Sequence, residues 1–239
     1  MFESQAAWTP IESTREFSIY GSDYGFATVG AVVSRIASET APGVRFRFML
    51  HNTPIVDDAA NSLRSVDAMV IPHGYLTDLP FEDLWRDRWV IVASDDNERV
   101  AAGLTMEHLS ELPWVFTYRS RSAFTSASRQ LQLLGLEPKV VAVVESFLAL
   151  SQFVVGTNRL GIIQSALAPI VARSGGIRIL ETPFDATPTS NALWWHPVHD
   201  RDPEHAWLRR TFVEAAAEVQ SRIDAGGRFV EPMPAAGGS

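Results

Sequence analysis

The chain of 239 residues contains no cysteine, which excludes disulfides, thiolate metal sites and a cysteine nucleophile. It also lacks a phosphate-binding loop, a GxGxxG following its first expected strand and a Gly-x-Ser-x-Gly elbow. With those motifs missing, neither an enzyme nor a cofactor is expected. Basic charge is in deficit: the formal net charge is −8 and the sequence pI about 5.2, without the electrostatic footprint of a nucleic-acid binder. Met1-Phe2-Glu3-Ser4-Gln5 has no basic segment leading into an apolar run, so no export signal is expected and a cytoplasmic location is. At 46% hydrophobic and 20% charged residues, the composition is that of a soluble globular chain, neither disordered nor membrane-spanning.

What is present alternates between two periodicities. Phe17 and Ile19 face one way in a strand that ends before Asp23. Val29, Val32, Val33 and Ile36 predict a helix over 27–40, stopped by Ala41-Pro42-Gly43 ahead of an alternating strand at 44–50. A short helix around 56–63 then leads to an apolar strand at 66–71. Further strands are expected at 89–94, 114–118, 140–144, 160–163 and 177–180. Between them fall helices opened by Thr105, over 125–134 and ending at Gly135, around 147–155, and after Ser165. Repeated strand, helix, strand units imply an α/β class with parallel crossovers, wound into two lobes.

Near the C-terminus, Trp194-Trp195-His196-Pro197 precedes Asp202-Pro203-Glu204-His205-Ala206-Trp207-Leu208-Arg209-Arg210. Asp202 can cap a helix, Pro203 suits its first position and Glu204 complements the dipole. Leu208, Phe212, Ala215, Ala216, Val219 and Ile223 then form the packing face. This passage resembles the end of the effector domain of LysR-type transcriptional regulators, in the nodulation-regulator and aromatic-acid-sensing branch. The resemblance extends over nearly all of residues 8–224. It departs at Leu63-Arg64-Ser65-Val66-Asp67, where the family usually carries a glycine-containing pair, leaving the alignment of residues 50–65 loose by about two positions.

The resemblance implies a two-lobed, periplasmic-binding-protein-like fold with two crossover strands as hinges. Lobe I would hold residues 14–112 and 190–224 and lobe II residues 113–189, with 1–13 a linker remnant and 225–239 a flexible tail. It implies a small organic effector, aromatic or anionic, held between the lobes. It also implies a homo-oligomer paired through the first helix and second strand, and DNA contact only through an N-terminal winged helix-turn-helix lying outside this chain. A free-standing solute-binding protein is the alternative on the same architecture.

Ligands of wound α/β sheets collect at the C-terminal ends of parallel strands. The candidates there are Ser22 and Asp23, Asn52 and Thr53, Arg121 and Phe124, Ser146 and Phe147, and Gln164. The resemblance favours Ser22 and Thr53 as small hydroxyls near the effector. For Asp23, helix capping and ligand binding both stay open. The stretch 118–126 carries two guanidinium groups and five hydroxyls, which suit either a small anion or a capped helix with solvated arginines. Phe124 and Phe147 can wall an aromatic ligand or fill the core. Some aromatic-acid sensors of this branch have histidine where Phe124 and Ser146 fall, so a less polar pocket is expected here. His196, His199 and His205 invite a metal reading, but Pro197 disrupts a helical ligand face, and a structural role is expected, with no metal.

Overall fold

A computed structural model describes residues 8–117 and 126–226. The chain divides into two compact units, Met1–Trp85 with Ser190–Val219, and Arg86–Thr189 with Gln220–Ser239.

The first unit is built on a five-stranded sheet. Its strands are β1 (Glu16–Gly21), β2 (Arg45–Leu50), β3 (Ala68–Pro72), β4 (Phe81–Asp87) and β10 (Thr189–Trp194), in the spatial order β2-β1-β3-β10-β4. The pairings β1/β2 and β1/β3 are parallel, whereas β10 runs antiparallel to β3. Phe17 and Ile19 are fully buried from one face of β1, as their alternation predicts. Helix α1 spans 23–40, as Asp23–Gly25, a π-helical turn Phe26–Gly30 and Ala31–Thr40. It starts earlier than the apolar spacing predicts, because Ser22 supplies the cap and Tyr24 is buried. Gly43 follows the helix at a point where a Cβ would sit 2.4 Å from the Ser13 carbonyl oxygen. The helix expected over 56–63 is two short pieces, α2 (Thr53–Asp57) and α3 (Ala59–Ser62), with Leu63 fully buried behind them.

The second unit has β5 (Trp89–Ser94), β6 (Pro113–Thr117), β7 (Lys139–Val144), β8 (Leu160–Gln164) and β9 (Ile177–Glu181), in the order β7-β6-β8-β5-β9. Here the lobe boundary expected at 112/113 is corrected. Residues 86–112 belong to the second unit, because β5 pairs antiparallel with both β8 and β9 and buries all six of its residues. Against this sheet packs α6 (Phe147–Leu150), the helix that follows α4 (Met106–Glu111) and α5 (Ser126–Leu133). Its approach is close: a Cβ on Gly161 would meet Leu150 Cδ2 at 2.2 Å and Val92 Cγ2 at 2.9 Å.

The last helix, α8 (Pro203–Ala225), follows α7 (Ala168–Ala172) and β10. Asp202 Oδ1 accepts from the Glu204 and His205 backbone N–H groups at 2.9 and 3.3 Å, so the predicted cap is in place. Leu208, Phe212, Ala215, Ala216 and Val219 are buried, and Ile223 is half-buried. The expected linker remnant and tail fall mostly outside the described residues.

Candidate functional site

In the first unit, the register Gly21↔Leu50 brings the ends of β1 and β2 level, and His51 N–H donates to the Gly21 carbonyl at 3.0 Å. The two loops that follow therefore lie side by side. Ser22 Oγ accepts from Gly25 N–H at 3.3 Å and Asn52 Oδ1 from Ile55 N–H at 3.0 Å, each opening a helix. Asp23 Oδ1 accepts from Tyr24 N–H at 2.9 Å, a capping contact. Thr53 is the first residue of α2. Burial pulls the His51 imidazole down to about 4, against the opposing pull of its own backbone hydrogen bond and the Asp23 charge. At neutral pH His51 is therefore a neutral imidazole. His51 sits among the candidates, but its burial depends on packing that no spacing announces.

In the second unit, Thr117↔Val144 levels the ends of β6 and β7, and Trp89↔Gln164 pairs β5 with the end of β8. Ser146 Oγ caps α6 through Ala149 N–H at 2.9 Å. Phe147 is buried, with its ring 6.4 Å from that of Trp89. Gln164 is 3% exposed and its buried Oε1 has no hydrogen-bond partner among the described residues, as is true of Oγ1 of Thr117, 2% exposed at the end of β6. Trp8 Nε1, Asn97 Nδ2 and His199 Nε2 are also buried and unpaired, but Thr117 and Gln164 lie together at the C-terminal ends of the parallel strands β6 and β8, where their oxygens can accept from a ligand's donors. Thr117 and Trp89 escape sequence reasoning because each reads as an ordinary strand residue. Arg121 and Phe124 lie outside the described residues.

The C-terminal motif turns out to be wiring of the first unit. Arg15 pairs with Asp67 at 2.6 Å and with Asp202 at 2.5 Å, with Glu204 3.8 Å away. Burial pushes the Asp202 carboxyl up, but Arg15 and the two capping N–H groups outweigh it and hold the carboxyl below its usual range. His205 is fully buried; its Nε2 lies 2.8 Å from the Asp67 carbonyl oxygen and its Nδ1 2.9 Å from Arg209 Nη1. Since guanidinium can only donate, Nδ1 accepts and Nε2 carries the proton. Burial, with the charge of Arg209 adding to it, brings this imidazole down to about 4. The His199 ring stacks on His205 at 4.8 Å, and His196 Nδ1 accepts from Val198 N–H. Each of the three histidines is thus engaged in packing or capping.

Among the described residues, no helix is long and apolar enough to cross a membrane. The family described as LysR substrate binding domain matches residues 34–217. Nodulation protein D 2 of Rhizobium tropici is 27% identical over 217 residues, covering 90% of this chain and 68% of that protein. Nodulation protein D 1 of Mesorhizobium japonicum is 30% identical over 232 residues, covering 94% and 72%. A solved structure of a putative transcriptional regulator from Vibrio parahaemolyticus matches at a TM-score of 0.77 with 19% identity, covering 90% of this chain and all of that one.

Proposed function

The chain belongs to the LysR substrate-binding-domain family and is the effector-binding domain of a LysR-type transcriptional regulator. From that premise we propose that its effector is a small organic molecule with an aromatic ring and a hydrogen-bond donor, sensed without being chemically changed. The match to transcription regulators favours this reading over a free-standing solute-binding protein. The observation that carries it is Gln164, a buried amide at the end of β8 whose Oε1 has no partner. A phenol or similar donor satisfies that oxygen, while Phe147 and Trp89 supply apolar faces for a ring.

In this reading Ser22, Asp23, Asn52 and Thr53 are the first unit's candidate effector contacts, and Ser146, Phe147 and Gln164 form the second unit's site. Arg121 and Phe124 complete it, Arg121 meeting any anionic group on the ligand. Effector binding works by preferring one of two conformations, a preference typically worth about 1–3 kcal/mol in such couplings. The protein acts in the cytoplasm and reaches DNA through a winged helix-turn-helix outside these residues.

It also self-associates, with α1 and β2 of one copy set against the second unit of another. β2 and β7 are both edge strands, and Leu50, Val141 and Val143 on them are exposed, which supports such pairing. Sedimentation at micromolar concentration gives a dimer or larger assembly; a monomer refutes the pairing.

The test of the effector is a thermal-shift screen of aromatic acids, phenols and flavonoid-like compounds. At least one phenolic compound raises the melting temperature, and Gln164→Leu abolishes that rise. A screen without any stabilising compound overturns the proposal.

A further inference from the structure

Three buried polar side chains of the first unit meet at one point. Trp85 Nε1 donates to the Tyr24 hydroxyl at 2.8 Å. Asn191 Nδ2 lies 3.4 Å from the same hydroxyl and 3.3 Å from the Trp85 carbonyl oxygen. None of the three is more than 3% exposed.

Their positions in the chain give the cluster its interest. Trp85, on β4, is the last residue before the chain passes into the second unit, and Asn191, on β10, is the second residue after it returns. β4 and β10 are neighbours in the sheet. Tyr24 belongs to the first turn of α1, between the Ser22 cap and the π-helical turn at Phe26–Gly30. Its own N–H is held by Asp23 Oδ1, and its carbonyl accepts from Thr28 Oγ1 at 2.7 Å. Single π-helical turns within helices concentrate at functional positions.

We propose that Tyr24 is a positioning residue that couples the Ser22–Asp23 turn to both strands on which the chain passes between units. This rests on the reading that Ser22 and Asp23 belong to the effector site. A buried donor left without its acceptor is costly, so Trp85 and Asn191 follow the hydroxyl instead of releasing it. Displacement of the turn by an effector is thereby delivered to β4 and β10 together.

The experiment is amide hydrogen exchange on the 239-residue protein without ligand. Tyr24→Phe keeps the ring against Trp85, 5.8 Å away, and removes only the hydroxyl. Exchange in peptides covering 81–87 and 189–194 rises about tenfold, the order expected for one lost buried hydrogen bond, while β7 and β8 are unchanged. Ser22→Ala then speeds exchange in the same two peptides in the wild-type background and has no effect on them beside Tyr24→Phe. An equal Ser22→Ala effect in both backgrounds, or a Tyr24→Phe rise spread evenly over all peptides, overturns the coupling. Should Tyr24→Phe not fold, Asn191→Ser serves as the second variant. It frees 189–194 and breaks the response of that strand to Ser22→Ala, and a response that persists also overturns the proposal. Since no ligand enters, the site reading fails separately: if Ser22→Ala and Gln164→Leu both leave a phenol's thermal shift intact, that reading is wrong while the coupling stands.

Discussion

The network around Arg15 in the first unit is a completed circuit of polar groups, whereas the ends of β6 and β8 in the second unit leave two buried polar atoms open. Around Arg15, the carboxylates of Asp67 and Asp202, the capping N–H groups and the His205 ring all find partners. At the ends of β6 and β8, Thr117 Oγ1 and Gln164 Oε1 find none. Arg15 and Asp202 keep 26% and 28% of their side chains exposed and are paired, whereas Thr117 and Gln164 are 2% and 3% exposed and carry an unpaired oxygen. A completed circuit fixes a geometry, and an open one leaves an acceptor that a bound donor can satisfy.

The largest effect is expected from breaking a completed circuit. Arg15→Met strands Asp67 and Asp202 in a partly buried setting and lowers unfolding free energy by about 3 kcal/mol, read from urea denaturation. His205→Leu is next, at about 2 kcal/mol, because the Asp67 carbonyl and Arg209 lose their shared partner.

Acid probes the same circuit without mutation. The folded imidazoles of His205 and His51 titrate near 4, below the ordinary value of 6.5. The unfolded chain therefore binds protons first, and the stability held above pH 6.5 is lost as pH falls through the window from about 6.5 to about 4. For His205 the loss is on the order of 3 kcal/mol, and in His205→Leu that part of the pH dependence disappears from denaturation curves taken at pH 7 and pH 4.5.

The open circuit answers differently. In the absence of ligand, Gln164→Leu changes stability by less than about 1 kcal/mol, since no hydrogen bond is lost, yet ligand-induced stabilisation vanishes. A large loss in the free protein would show that Gln164 already has a partner and would erase the contrast. Smallest of all is Arg88→Ala, which removes an exposed ion pair with Glu181 and costs under about 1 kcal/mol.

Much of this contrast is written locally and some of it is not. Phe17 and Ile19 announce β1 by alternation, and Asp202-Pro203 announces α8, because a period and a cap are properties of neighbouring residues. Ser22, Asn52 and Ser146 are legible for the same reason, each following a strand and opening a helix. β4 escapes notice because Phe-Glu-Asp-Leu-Trp-Arg-Asp is mostly exposed and becomes a strand through its partner β10. The lobe boundary escapes because β5 finds its antiparallel partners β8 and β9 far along the chain. Thr117 is illegible for a subtler reason: nothing about a threonine in a strand tells whether its hydroxyl will find an acceptor.

The ion pair between Arg15 and Asp202 joins residues 187 positions apart. In the order of synthesis this sets a schedule. All five strands of the second sheet have left the ribosome by Glu181, whereas the first sheet still lacks β10 between β3 and β4. The second sheet is therefore completed before the first, and the segment around Arg15 is locked down only when the final helix emerges.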